Sequence, residues 1–310
     1  MTRDRHDQRI RHAVIVDGKQ ILTTDHLTPP RGWSWSIART VPRGEGIHAL
    51  AISPESGTVG PSTLDALPDL QILHATSVGT DHLDEVAAAA RGVITSNTPA
   101  YCTAEVADHA LALVLASVRH LPILDREIRR GQWALPTRPP SLLADTTLGL
   151  WGFGPIAQAL AHRAIALKMK VLVHTRRPID DHSVRQVSWE ELLCSSNVLS
   201  LHVPLISATR GRLDRDALSR MPARAHLVNV ARGELIDEVA VARALRDGDL
   251  ASAALDVLST EPPPADHPLL SAPNVLLTPH AAWLSDRSIH RPVQRFADVL
   301  AASIRAGSPV

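Results

Sequence analysis

Short apolar runs alternate with helix-like stretches along most of this 310-residue chain. The first hundred residues contain such runs at 12–17, 47–53, 70–76 and 93–96. Helix-like stretches lie between them at 62–67 and 81–90. Because parallel strands need a crossover connection, strands that alternate with helices favour a parallel, doubly wound sheet. The alternation therefore predicts one α/β unit for this part of the chain.

A second sheet is predicted further along. A helix that Thr103 can cap runs from Glu105 to about residue 121, where Pro122 follows, and it leads out of the first unit. Residues 131–140 form a proline-containing loop. Apolar runs then resume at 147–151, 170–174, 198–202, 226–230, 252–256 and 275–278. The last stretch, 285–306, predicts a helix that can pack against the first unit.

A glycine-rich turn follows the first strand of the second sheet. Residues 152–157 read Gly-Phe-Gly-Pro-Ile-Ala, the G-x-G-x-x-A form of the dinucleotide fingerprint. An apolar helix and another strand come after it, so a pyrophosphate can bind the unpaired N–H groups at the helix N-terminus. We expect cofactor contacts from Gly152, Phe153, Gly154, Pro155 and Ile156. The alternative is a turn that only lets strand and helix pack closely.

The loop after the second strand of this sheet bears on the identity of the cofactor. NAD-binding proteins place an Asp or Glu there, about 20 residues past the glycine turn, to accept both ribose hydroxyls. This chain has Thr175, Arg176 and Arg177 instead. A hydroxyl and two guanidinium groups suit a 2′-phosphate, which predicts NADP(H) as the preferred cofactor and NAD(H) as the second option. Two solvated surface arginines are the alternative.

Three separated segments, 229–237, 255–261 and 278–283, supply the groups of a reaction centre. They contribute a cation, Arg232, a carboxylate, Glu261, and an imidazole, His280. Hydride exchange with a 2-oxo acid needs a positive anchor for the substrate carboxylate, a proton donor for the ketone oxygen, and an acid that orients the donor. A structural ion pair between the first two is the alternative. His109, on the long helix, is expected to be a packing or solvent residue.

Composition narrows the function classes. Lys and Arg together number 32, as do Asp and Glu, so no net charge favours nucleic acid or an anionic membrane as a partner. No apolar run approaches the roughly 20 residues that span a bilayer, and the polar start is unlike a secretion signal, which predicts a cytoplasmic protein. Cys102 and Cys194 have neither a disulfide framework nor metal-ligand spacing, so no metal is expected.

The segments described above resemble those of the D-isomer-specific 2-hydroxyacid dehydrogenases. The resemblance extends from about Leu70 to Trp283 and includes further motifs at 77–84, 97–103, 105–111 and 202–205. The motifs at 101–103 and 279–283 most resemble the branch that includes the C-terminal-binding proteins. The pair Thr175-Arg176 resembles the Ser-Arg pair of NADPH-dependent glyoxylate and hydroxypyruvate reductases.

The resemblance implies two domains and a homodimer. A discontinuous, flavodoxin-like substrate domain, residues 1–100 and 285–310, would carry an inserted Rossmann-type coenzyme domain, residues 101–284, with the active site in the cleft. Backbone N–H groups at Val78 and Gly79 would hold the carboxylate of a small-molecule 2-oxo or 2-hydroxy acid. Trp283 would either border the substrate side chain or fill the core.

The resemblance also implies roles at the reaction centre. Arg232 would contact the substrate carboxylate and its oxo oxygen, and His280 would donate the proton. Glu261 would hydrogen-bond His280 and favour its imidazolium form. The remaining cofactor contacts would be Val230, Ala231 and Asp256 at the nicotinamide, with His202, Val203, Pro204 and Thr209 beside the cofactor.

Two function classes stay open. The first is an NAD(P)H-dependent reductase that converts a 2-oxo acid into a D-2-hydroxy acid, including a specialised acid such as a phosphonate-bearing one. The second is an NAD(P)H-sensing scaffold resembling the C-terminal-binding proteins, which the complete Arg232, Glu261 and His280 set disfavours. The absence of a lysine in 77–84 argues against phosphite oxidation, and a histidine-based site argues against formate oxidation. Residues 24–43 show no pattern that can be aligned with the family, so the sequence does not identify the side chain of the substrate.

Overall fold

The computed structural model describes residues 10–22, 24 and 27–305, which form two compact units. One unit comprises the described chain up to Tyr101 together with the segment from Ser285 onward, and the other comprises Cys102–Leu284. Residues 1–9 and 306–310 of the predicted substrate domain lie outside the described residues. In chain order, the elements are β1 (Arg11–Val16), β2 (Trp33–Ala38), β3 (Ala49–Ile52), α1 (Pro61–Asp65), β4 (Ile72–Ala75), α2 (Glu85–Ala89), β5 (Ile94–Asn97), α3 (Thr103–Val118), α4 (Leu121–Arg129), β6 (Thr147–Trp151), α5 (Pro155–Ala166), β7 (Lys170–His174), β8 (Arg185–Gln186), α6 (Trp189–Ser195), β9 (Val198–Leu201), α7 (Arg215–Ser219), β10 (Ala225–Asn229), α8 (Glu238–Asp247), β11 (Leu250–Leu255), β12 (Val275–Leu277) and α9 (Arg291–Arg305).

The first unit is built on a parallel five-stranded sheet with the strand order β2-β1-β3-β4-β5. Side chains alternate between its faces, so β1 sends Ala13 and Ile15 to one side and Val14 and Val16 to the other. Helix α9 covers the first side through Phe296, and α1 and α2 cover the second. Because both faces are buried, the central strands are continuous apolar runs.

The second unit is built on a parallel seven-stranded sheet with the order β12-β11-β10-β9-β6-β7-β8. Helices α3 and α5 pack on one face, and α6, α7 and α8 pack on the other. The strand order reverses between β6 and β9, which are neighbours in the sheet. Ligands of open α/β sheets bind at the carboxyl ends of the strands at such a reversal. The sheet therefore directs attention to the loops that follow β6 and β9.

The predicted fold class is confirmed, since both units are doubly wound α/β sheets. The first has the flavodoxin-like strand order, and the second has the order of dinucleotide-binding folds with one added strand. The runs predicted at 147–151 and 170–174 coincide with β6 and β7 at both ends.

The long helix of the second unit differs from its prediction. Thr103 is its first residue rather than its cap, because Cys102 occupies the N-cap position. The helix ends at Val118, His120 adopts a left-handed φ of 56°, and Pro122 then lies in the first turn of α4, where proline is tolerated. No single helix among the described residues is long and apolar enough to cross a membrane, although α3 and α4, bent by 60°, pass that test together.

Two strands were missed in the sequence. Strand β2 lies in the stretch 24–43 and pairs with β1 at the sheet edge, where Ser36 and Ile37 are exposed and only Trp33 is buried. Strand β8 has only two residues, both exposed, and lies beside β7 at one edge of the seven-stranded sheet. Edge strands lack a continuous apolar run, so the pattern was too weak to recognise. The last helix begins at Arg291 rather than 285, and its predicted end, Ala306, lies outside the described residues.

Gly149, in the middle of β6, tests the packing of the second sheet. A Cβ atom there would lie 1.9 Å from Ser196 Oγ and 2.8 Å from Ser196 Cβ. We expect Gly149→Ala to lower the free energy of unfolding by about 1–3 kcal/mol in chemical denaturation, because the buried serine has to move. Gly60→Ala is the control, since a Cβ at Gly60 meets nothing within 4 Å. Equal stabilities of the two variants would contradict this packing.

Candidate active site

The glycine turn connects β6 to α5. Gly152 has φ 101°, and a Cβ on it would lie 2.5 Å from the carbonyl oxygen of His202, so this position excludes side chains. Gly154 is the N-cap of α5, and a Cβ there would meet nothing within 4 Å. Pro155 is the first helical residue, and the first N–H groups of a helix have no intrahelical partner. The turn thus offers an open side with free backbone donors, which suits a pyrophosphate.

A cavity of about 870 Å³ lies beside this turn, within the second unit. The predicted cofactor residues that line it are Gly152, Phe153, Gly154, Thr175, Arg176, Arg177, His202, Val203, Pro204 and Thr209. Other predicted contacts, namely Pro155, Ile156, Val230, Ala231, Asp256 and His280, are not among its lining residues. The cavity is therefore lined by residues expected to contact the pyrophosphate and adenosine of the cofactor. The residues expected at the nicotinamide, Val230, Ala231 and Asp256, lie elsewhere in the unit.

The loop after β7 is held by a residue that the sequence did not indicate. Gln186, on β8, donates from Nε2 to the carbonyl oxygens of Thr175, at 3.1 Å, and Arg177, at 3.0 Å. Its Oε1 accepts from the N–H of Ile179 at 3.2 Å. The two clasped carbonyls flank Arg176, whose side chain is exposed. Within the described part of the chain, neither Arg176 nor Arg177 forms an ion pair with a carboxylate, so both guanidinium groups are available to an anion.

The loop after β9 contributes an uncharged imidazole. His202 Nε2 lies 2.9 Å from Ser200 Oγ, and burial lowers the pKa of this histidine to about 4. The ring is therefore neutral near pH 7. Thr209 Oγ1 donates to the carbonyl oxygen of Pro204 at 2.7 Å and closes the turn that follows. The predicted Thr209 thus shapes the wall of the cavity.

Arg232 lies in the turn after β10. The Asn229 side chain shapes this turn, since its Oδ1 accepts from Ala231 N at 3.0 Å and its Nδ2 donates to Arg232 O at 2.8 Å. A Cβ on the next residue, Gly233, would lie 2.0 Å from the carbonyl carbon of Leu258. The turn after β10 therefore packs, backbone against backbone, on the segment after β11. This contact brings the turn of Arg232 beside the segment that leads to Glu261.

The segment after β11 is anchored by a buried carboxylate at the start of α8. Glu238 accepts from the N–H of Ser259 at 2.8 Å and from its hydroxyl at 2.5 Å. His267 Nε2 lies 3.1 Å from the same carboxylate, and both side chains are more than nine-tenths buried. The anchor holds the chain two residues before Glu261, and no pattern in the sequence predicted it.

Glu261 and His280 form a hydrogen-bonded pair. The Nδ1 atom of His280 lies 2.8 Å from Glu261 Oε2, and Glu261 Oε1 accepts from the N–H of Leu258 at 3.0 Å. Because an ionised carboxylate only accepts hydrogen bonds, Nδ1 carries the proton. The Nε2 atom is then the one that exchanges a proton with a ligand when the ring is charged. The pair can thus act as a general acid.

Asp256 organises the turn on which His280 lies. Its buried carboxylate accepts from Thr278 Oγ1 at 2.5 Å and from the N–H groups of Ala281 and Ala282, each at 2.9 Å. Its carbonyl oxygen accepts from the N–H of His280 at 2.8 Å. His280 has φ 54°, a conformation that costs free energy in a side-chain-bearing residue and persists where surrounding contacts enforce it. Asp256 therefore has a turn-holding role that the sequence did not predict.

The contacts of His109 also differ from those expected from the sequence. Rather than packing or facing solvent, its Nε2 lies 3.0 Å from Thr278 Oγ1 and 3.6 Å from Asp256 Oδ1. The hydrogen-bonded residues are 169 positions apart, and no local pattern reports such a contact.

Trp283 is half-buried in the same unit. No group of three or more His, Cys, Asp or Glu side chains in the described part of the chain is arranged to hold a metal ion.

Val78 and Gly79 belong to the first unit. They lie in the loop that follows β4, at the carboxyl end of its sheet. Asn97 Nδ2 donates to the Val78 carbonyl at 2.8 Å, and Ser77 Oγ donates to the Gly79 carbonyl at 2.7 Å. Both carbonyl groups are hydrogen-bonded, which restrains the shape of the loop, and Val78 is 42% exposed.

Comparison with known proteins gives consistent matches. Residues 111–282 match the family described as D-isomer specific 2-hydroxyacid dehydrogenase, NAD binding domain. A glyoxylate reductase of Korarchaeum cryptofilum is 38% identical over 79% of this chain and 76% of its own length. A glycerate dehydrogenase of Methylorubrum extorquens is 34% identical over 89% of this chain and 88% of its own length. The structure of an NADPH-dependent glyoxylate/hydroxypyruvate reductase of Sinorhizobium meliloti, with NADP and malonate, matches with a TM-score of 0.80 and 31% identity over 96% of this chain and 93% of that one.

Gly233 tests whether the close backbone contact supports the site. Gly233→Ala forces the turn of Arg232 away from the Leu258 segment. Because misplacement by about 1 Å can cost roughly 100-fold in rate, we expect a fall of that order in kcat/KM for oxo acid reduction. Thermal unfolding and cofactor titration of the same variant separate a local effect from loss of fold, with Gly60→Ala as the control. Wild-type kcat/KM in a folded Gly233→Ala protein would contradict the contact's role.

Proposed function

The chain belongs to the D-isomer specific 2-hydroxyacid dehydrogenase family, and on that premise we propose that it is an NADPH-dependent reductase that converts a 2-oxo acid into a D-2-hydroxy acid. The observation that carries this proposal is the 2.8 Å hydrogen bond between His280 Nδ1 and Glu261 Oε2. It directs the Nδ1 proton to Glu261, and we propose that the Nε2 proton goes to the substrate oxygen. The neighbouring turn supplies Arg232, the cation that a substrate carboxylate requires.

Three side chains have different roles in the proposed reaction. Bound NADPH supplies the hydride that reduces the oxo carbon. Arg232 binds the substrate carboxylate and polarises the oxo oxygen, so that negative charge developing on this oxygen is stabilised. His280 gives its Nε2 proton to the same oxygen, and Glu261 stabilises the charged ring before transfer. Backbone N–H groups at Val78 and Gly79 are proposed to hold the carboxylate, and Trp283 is proposed to border the substrate side chain.

The glycine turn fits the proposed cofactor. Gly152 has no room for a side chain, and Gly154 opens to solvent beside the first N–H groups of α5. Ile156 lies in that first turn and Phe153 lines the cavity. We propose that the pyrophosphate binds here, and that Val230, Ala231 and Asp256 approach the nicotinamide.

The proposed preference for NADPH rests on the loop after β7. Thr175, Arg176 and Arg177 line the cavity, and the loop contains no acidic residue at 175–179 that would bind two ribose hydroxyls. A 2′-phosphate gains charge-assisted hydrogen bonds from guanidinium groups. The reductase of Sinorhizobium meliloti described above, solved with NADP, is consistent with this preference.

A homodimer is proposed on the family resemblance and on an exposed apolar segment. Between α4 and β6, Trp133 is 88% exposed, Leu135 is 95% exposed and Leu142 is 61% exposed. Clusters of exposed apolar side chains mark association surfaces. Light scattering measures the mass against the 33.5 kDa of one chain.

The cytoplasmic location stays a prediction of the sequence. Fractionation of the cells that make the protein tests this prediction.

Initial rates test the proposed reaction. NADPH oxidation is followed with glyoxylate, hydroxypyruvate, phenylpyruvate and branched 2-oxo acids, for wild type and His280→Ala. We expect turnover by wild type and a loss of roughly 10²- to 10⁴-fold in the variant, the usual contribution of a general acid. Gly60→Ala is the control, since Gly60 lies in the first unit and a Cβ there meets nothing within 4 Å. Turnover that ignores His280 would refute its role, and absent turnover with tight cofactor binding would favour the NAD(P)H-sensing scaffold.

Exchange of the loop residues tests the cofactor preference. We expect wild type to use NADPH at least about 10-fold better than NADH, as kcat/KM, because one charge-assisted contact of about 1.5 kcal/mol gives that factor. Thr175→Asp combined with Arg176→Ala should invert the ratio, since a carboxylate accepts ribose hydroxyls and repels a 2′-phosphate. Unchanged ratios in the double variant would refute the assignment.

A further inference from the structure

His109 lies on α3 and takes no part in the proposed chemistry. Its Nε2 atom lies 3.0 Å from Thr278 Oγ1, directly after β12, and 3.6 Å from Asp256 Oδ1, directly after β11. The His109 side chain is 25% exposed, and the Asp256 side chain is 1% exposed. Helix α3 thereby contacts both chain segments that precede His280. We call His109, Thr278 and Asp256 the Asp256 network.

The donors and acceptors of the network can be assigned. An ionised Asp256 only accepts hydrogen bonds, so the single hydroxyl hydrogen of Thr278 points to Oδ1, 2.5 Å away. The Thr278 oxygen is then an acceptor toward His109, and His109 must carry a proton on Nε2. The order of donation is therefore from His109 to Thr278 and from Thr278 to Asp256.

The network continues into the turn of the proposed proton donor. Asp256 Oδ1 also accepts from the N–H of Ala281, and Oδ2 accepts from the N–H of Ala282, the two residues after His280. The Asp256 carbonyl accepts from the N–H of His280 itself. A left-handed φ of 54° at a histidine persists only where such contacts over-determine it. A buried carboxylate in turn needs its donors, because burial without them carries a large desolvation cost.

We propose that His109 is a positioning residue for His280. Through Thr278 it fixes the Asp256 carboxylate, and this carboxylate holds the turn that aims the His280 ring. The proposal rests on the proposed function, in which His280 donates the proton. It assigns no contact between His109 and substrate or cofactor. Its action is indirect, through the orientation of a group that has to lie within a few tenths of an ångström of its working position.

The test compares His109→Leu with His109→Gln. Leucine removes the Nε2 donor, whereas the glutamine amide retains a donor of comparable reach. For His109→Leu we expect kcat for oxo acid reduction to fall roughly 10-fold, with unchanged substrate KM and NADPH Kd, because only the aim of His280 changes. His109→Gln should recover kcat to within about 2-fold of wild type. Asp108→Ala is the control, since Asp108 is the adjacent residue on α3, is 67% exposed and pairs with Arg163 instead.

Hydrogen exchange gives a readout that does not depend on turnover. In His109→Leu the amides of Ala281 and Ala282 should exchange faster than in wild type, and His109→Gln should restore their protection. Thr278→Val should reproduce the effect, and the His109→Leu, Thr278→Val double variant should lose no more than either single variant, because both act through one carboxylate.

Each outcome is decisive. Lower kcat with retained KM, glutamine rescue and faster amide exchange support the proposal. Wild-type kcat and exchange in His109→Leu overturn it and leave the proposed function standing. If wild-type protein reduces none of the acids, the proposed function fails, and the exchange of the two alanine amides alone decides whether His109 holds the turn.

Discussion

Parallel pairing of β10, β11 and β12 is the constraint on which the candidate site depends. Parallel strands end at the same edge of a sheet, so the turns that follow these three strands are neighbours although they are separated in sequence. Arg232, Glu261 and His280 each lie within six residues of such a strand end. The segments that carry a cation, a carboxylate and an imidazole are therefore neighbours at one edge of the sheet, although they are far apart in the sequence.

Close contacts then convert this neighbourhood into a defined geometry. Gly233 lets two turns touch through their backbones, Glu238 anchors the segment before Glu261, and Asp256 holds the turn of His280. The two anchoring carboxylates are buried and fully engaged with donors, which offsets their desolvation. The hydrogen-bonded pair of Glu261 and His280 stays partly open to solvent, with side-chain exposures of 17% for His280 and 30% for Glu261. Rigid support around an accessible pair is the arrangement that catalysis requires.

The elements predicted correctly from the sequence are those that local residue patterns specify. Buried strands such as β6 and β7 are continuous apolar runs, and the glycine turn has a fixed spacing, so both were recognised at their correct positions. Strand β2 was missed because an edge strand alternates without a continuous apolar run. The roles of His109, Gly233 and Gln186 were missed for another reason. Each acts through a tertiary contact, with Thr278, Leu258 and the loop after β7, and such contacts have no signature in the residues themselves.

We propose that one unit holds a general acid, His280, and a cation, Arg232, which direct hydride to the oxo carbon of a 2-oxo acid. Reduction of phenylpyruvate with NADPH carrying deuterium at the transferable C4 position, followed by chiral chromatography and mass spectrometry of the product, tests it most directly. We expect a single D-2-hydroxy acid with deuterium at C2. A racemic or L product would contradict the proposed D specificity, and a product without deuterium at C2 would contradict direct hydride transfer.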